Sequence, residues 1–104
     1  MSLEATIDRL LEQSPLWGDV IRTCIQWAED KGADAEFVRQ EIYHRLGHLD
    51  DRGPRLTPLE DAGIIEKHRI GSDGTPAYVL AQDRRELLDA LTRASARVGA
   101  RRPA

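Results

Sequence analysis

The chain has one cysteine, Cys24, among its 104 residues. A single thiol excludes an internal disulfide and a zinc site built from several cysteines. Cys24 lies in the amphipathic stretch VIRTCIQWAED, where a small buried hydrophobe is the expected role. No apolar run approaches the roughly 20 residues that span a bilayer. The first residues, MSLEATIDRLLEQ, are charged and periodic and lack the apolar centre of a secretory leader, so a cytoplasmic setting is the expectation. Internal repeats and low-complexity segments are missing. A glycine-rich phosphate loop ahead of a helix is missing too, because GSDG falls at a turn. Ser14, Ser72 and Ser95 have no nucleophile motif around them, and the carboxylates are scattered over solvated helix faces. Catalysis and a bound cofactor are therefore not expected. His44 and His48 are four apart in HRLGH, but no glutamate follows His44 as a zinc-protease motif requires. A third ligand would have to come from His68, Asp50 or Asp51, and no spacing supplies it, so no metal site is expected.

Strong charge of one sign is also lacking. The net charge is -3, which does not mark a nucleic-acid binder. Its distribution says more. Met1 to Glu36 carries eight acids against three bases, and Phe37 to Ala104 carries twelve bases against ten acids. Any polyanion would therefore meet the second part of the chain.

What is present is helical periodicity. The length favours one domain spanning residues 1–104, small enough to gain from a partner subunit. Leu3, Ile7, Leu10 and Leu11 share one stripe of a helix over about 3–13, with Ser2 as its cap. Ser14-Pro15 stops that helix and starts a second, running to about Lys31. Its apolar face holds Leu16, Val20, Ile21, Cys24, Ile25 and Ala28, with Trp17 and Trp27 at the edges. A third helix is predicted from a cap at Asp34 to Leu46, with Phe37, Val38, Ile42 and Leu46 turned inward. The polar segment GHLDDRG reads as a loop.

Thr57-Pro58-Leu59-Glu60 fits a capping box, with Thr57 as cap, Pro58 at the first helical position and Glu60 reaching back. Pro58 keeps that helix short, and Gly63 ends it. Ile64 to Ile70 and Ala77 to Leu80 then read as two strands joined at Asp73-Gly74. Asp83 caps a last helix from Arg84 to about Arg97, ahead of a frayed tail, GARRPA. Leu87, Leu91, Ala94 and Val98 form a brief coiled-coil-like stripe on it. That stripe packs on its own core or makes a twofold homodimer, and the dimer is the expectation for a domain of this size.

The fold class is thus mainly α with a small β-hairpin. The order helix, helix, short helix, hairpin, with the segment LEDAGIIEKHRIGSDGTPAYVL, resembles a winged helix-turn-helix domain. Winged-helix regulators often carry Leu-x-x-Leu-acidic-x-Ala-Gly-Leu-Ile at the end of the reading helix; here Leu56 to Ile65 reads LTPLEDAGII. The resemblance covers about 15–80 and leaves additional N- and C-terminal helices outside it.

This resemblance implies a DNA-binding transcriptional regulator, with double-stranded DNA as partner. The helix around Arg55 to Ala62 would face the major groove, bringing Arg52, Arg55 and Thr57 near the bases. Lys67, His68 and Arg69 on the wing would reach the backbone or minor groove, and Arg39 and Arg45 would hold phosphates. Three features depart from the pattern. Pro58 shortens the reading helix, Glu60 and Asp61 put carboxylates on it, and the loop before it carries Asp50 and Asp51. The alternative implied by those acids is a winged-helix adaptor that docks on protein. It would show a contiguous apolar patch on the wing face, where a DNA binder would show a basic one.

Overall fold

The computed structural model describes residues 2–47 and 55–101. Seven elements follow one another: α1 (Leu3–Gln13), α2 (Leu16–Lys31), α3 (Arg39–Arg45), α4 (Thr57–Asp61), β1 (Ile65–Ile70), β2 (Pro76–Leu80) and α5 (Arg84–Arg101). The expected order of helices and hairpin holds. Arg52 and the loop residues His48, Asp50 and Asp51 lie outside the described residues.

Local chemistry explains most of the boundaries. The Ser2 Oγ accepts the Ala5 N–H at 3.1 Å and caps α1. The Ser14 Oγ accepts from the Leu16 N–H at 3.2 Å, with Pro15 already in helical conformation. At the start of α5 the Asp83 carboxylate accepts the Arg85 and Glu86 N–H groups at 3.1 and 3.2 Å. Gly63, at φ 76°, closes α4 in a left-handed turn that costs a residue with a side chain more. Its N–H donates to Glu60 O and the Ile64 N–H to Leu59 O, each at 3.0 Å. This is a Schellman stop, with Leu59 and Ile64 both fully buried beneath it.

Three expectations need correction. The third helix begins at Arg39 instead of just after Asp34, because the preceding residues are extended. Phe37 exchanges two backbone hydrogen bonds with Tyr78, at 2.9 and 2.8 Å, and makes an isolated antiparallel bridge on the free edge of β2. A helical Phe37 could not make that pairing, so its burial reflects a sheet position and not a helix face. The Glu41 carboxylate caps the later start, accepting the Val38 N–H at 3.1 Å. The capping box at Thr57 does not form either. Leu56 takes the cap position, α4 has no side-chain cap, and the Leu56 carbonyl accepts from Leu59 and Glu60. Finally, α5 continues to Arg101, beyond the predicted end.

β1 and β2 form an antiparallel hairpin with Ile65 opposite Leu80 and Ile70 opposite Pro76. The register shifts between Lys67 and Arg69, so His68 sits at a bulge. Gly74, at φ 84°, completes the tip. Its N–H donates to Gly71 O, and the Asp73 Oδ1 accepts the Thr75 N–H at 3.0 Å.

The core gathers Ile7, Val20, Ile21, Cys24, Ile42, Tyr43, Leu56, Leu59, Ile64, Ile65, Leu87 and Leu91 from every element except β2, which adds Tyr78. Both Ile64 and Ile65 are buried, so the residue pair after Gly63 anchors the hairpin to α4. Trp17 is buried in this core, whereas Trp27 is packed only at its edge. Burial pushes the Cys24 thiol up to about 12, as its position in the core requires.

Leu87, Leu91 and Ala94 of α5 are fully buried within the chain. Three of the four residues expected as a dimer seam are therefore covered within the chain, largely by α1 and α2, and the fourth, Val98, is partly buried. A homodimer through the terminal helices would have to use their exposed faces. Among the described residues no helix is long and apolar enough to cross a membrane.

Candidate functional site

Leu56 and Leu59 turn one face of α4 into the core, which leaves Thr57 and Glu60 on a different face. That face looks across to the hairpin. Between the start of α3, the start of α4 and the hairpin lies a cleft of about 620 Å³. Arg39, Arg55, Thr57 and Lys67 line it, together with Glu60 and Asp73. Four of the eight predicted contact residues are thus brought together from three separate parts of the chain. Two smaller grooves, of about 510 and 270 Å³, each carry one cation and one acid (Arg9 with Asp61, Asp19 with Arg22). Neither concentrates charge as the main cleft does.

The buried floor of the cleft includes Tyr78, whose ring lies 6.3 Å from that of Phe37, centroid to centroid. Burial raises the Tyr78 hydroxyl above its ordinary range, the nearby Glu60 carboxylate adds to this, and Arg39 opposes it. Both charges therefore lie within electrostatic reach of one phenol. Asp73 is held below the usual carboxylate range, first by the Thr75 backbone N–H. Its negative charge is thus committed to the wing turn.

Arg55 and Lys67 are exposed and have no ion pair among the described residues. Glu60 is half-buried and likewise has no hydrogen-bonded or ionic partner there. Asp61, the other acid of α4, lines the groove toward α1 instead.

The remaining predicted residues are engaged elsewhere. Arg45 lies over the Trp27 ring at 4.8 Å and pairs with Asp30 at 2.7 Å, so its guanidinium is turned toward α2. His68 and Arg69 both turn to Glu36, at 3.3 and 2.6 Å. Arg52 cannot be placed relative to the cleft, since it lies outside the described residues. Comparison with protein-family models, curated proteins and solved structures finds no match.

Sequence reasoning missed Glu36 and Asp30, the two acids that engage three of the predicted contact residues. No spacing rule links Glu36 to Arg69, 33 residues on. The link arises only because Phe37 bridges to Tyr78 and so carries Glu36 to the hairpin. The Trp27 indole N–H also donates to the Glu36 carbonyl at 3.1 Å, fixing that segment against α2.

Proposed function

We propose that the protein is a non-enzymatic, cytoplasmic, winged-helix regulator that binds double-stranded DNA through the cleft between α3, α4 and the wing. The observation that carries this reading is the convergence of Arg39, Arg55, Thr57 and Lys67, with Arg55 and Lys67 unpaired among the described residues. Among the described lining residues three cations stand against two carboxylates, in a chain whose net charge is -3. Unpaired guanidinium and ammonium groups on an exposed face suit phosphate oxygens, and Thr57 suits a base edge or phosphate. The element order supports the winged-helix resemblance, with Phe37 as a third, minimal strand beside the hairpin.

The adaptor alternative needs an apolar docking face. Among the described residues the exposed large hydrophobics are Ile70 and Leu88, and only Ile70 belongs to the wing. A lone exposed isoleucine is ordinary surface, so the DNA reading is better supported.

Fluorescence anisotropy on mixed-sequence duplexes at low salt tests it. Affinity should fall with salt at a log–log slope of roughly -0.9 per phosphate contact. Absence of binding at low salt would overturn the reading. A homodimer remains part of the proposal, using faces other than the α5 stripe. Light scattering that finds a monomer at high micromolar concentration would remove it.

A further inference from the structure

Glu60 is the unusual member of the cleft. A carboxylate facing a phosphate backbone is repelled by it, and the neighbouring Arg55 and Lys67 do not neutralise this one by direct pairing. Asp73 differs, because its oxygen is already used by the Thr75 N–H. Glu60 shares its face of α4 with Thr57, one turn away and exposed. Its oxygens therefore present unfilled acceptor sites on the surface that the DNA reading turns toward the groove. Of the four bases, cytosine offers the major groove a donor, the N4 amino group, without an adjacent acceptor on the same base. Adenine offers N6 beside the N7 lone pair, which repels a second carboxylate oxygen. Guanine and thymine offer acceptors alone.

Resting on the DNA-binding reading, we propose that Glu60 is a specificity-determining residue, accepting a hydrogen bond from a cytosine N4 amino group and selecting cytosine at one position of the bound site. Removing its charge separates readout from mere repulsion. Glutamine matches adenine N6 and N7 together, so Glu60→Gln should move the preference from cytosine to adenine at that position. Glu60→Ala should lose the cytosine preference without gaining another. The side chain is only half-buried and makes no hydrogen bond among the described residues, so both variants should fold.

The experiment selects duplexes from a randomised pool with the wild-type chain and both variants, followed by anisotropy on the enriched sequences. The wild type should favour cytosine at one position about ten-fold or more over the other bases. The glutamine variant should favour adenine there, while other positions keep their preferences. If both variants enrich the same sequences as the wild type and simply bind all of them more tightly, Glu60 is only repulsive and the proposal is overturned. If the wild type binds duplexes with no positional preference, the proposal fails while the DNA-binding reading stands. If no duplex is retained at low salt, the DNA-binding reading fails first and takes this proposal with it.

Discussion

Along the seam between α1 and α5 the Glu4 carboxylate holds Arg93 at 2.6 Å and Arg97 at 2.9 Å, with Asp8 3.8 Å from Arg97. In the cleft, Arg55, Lys67 and Glu60 line one space and none of them is paired among the described residues. The two regions are built from the same residue types. The seam lies over fully buried Leu87, Leu91 and Ala94, and its charges are matched across that core by side chains far apart in sequence. The cleft lies between α3, α4 and the hairpin, and among the described residues no acid pairs with its Arg55 or Lys67. Charges matched within the fold serve the fold, and charges left over are available to a partner.

The largest expected effect lies under the seam. Leu91→Ala removes a fully buried side chain and should cost about 2–5 kcal/mol of stability, read by urea unfolding. Normal unfolding of this variant would break the view that the α5 stripe serves its own chain. Next come the cations of the cleft. Arg55→Ala and Lys67→Ala should each weaken DNA binding and lower the salt slope by about 0.9, with stability changed by no more than about 0.5 kcal/mol. A large loss of stability in either would show that the cleft charges serve the fold after all.

The matching seam variant, Arg97→Ala, removes an exposed ion pair and should lower stability only slightly while leaving DNA affinity unchanged. The smallest effect is in pH. Hydrogen bonds from Arg97 and then Arg93 hold Glu4 below its ordinary value. Its contribution is thus present above the unfolded carboxylate range and fades as pH falls through the lower folded value. Acid titration of the unfolding midpoint should show this loss in the wild type and a weaker one in Arg97→Ala. An unchanged acid slope would remove the seam's electrostatic role.

Much of this was legible in the amino-acid order. Ser2, Asp83 and Gly63 act as the caps and stop that their residue types predict, since each acts on backbone groups within a few positions. The stripe Leu87, Leu91 and Ala94 was visible as helical spacing, but spacing does not say whether the surface that covers it belongs to the same chain. Phe37 shows the other limit. Its apolar character next to Val38, which lies four residues before Ile42, suited a helix, and a backbone pairing with Tyr78 41 residues later drew it into a sheet.

The candidate site divides the same way. The winged-helix resemblance pointed to Arg39, Arg55, Thr57 and Lys67, and to Arg45, His68 and Arg69 with equal force, because a side chain in the sequence looks the same whether or not an acid faces it. By itself the amino-acid sequence determined the order of helices and hairpin and most of their ends, through caps, periodicity and turn residues that act locally. The tertiary structure alone decided which charges remain free. Glu36 reaches the wing and Asp30 reaches α3 only once the core has closed, and ion pairing depends on distance in space.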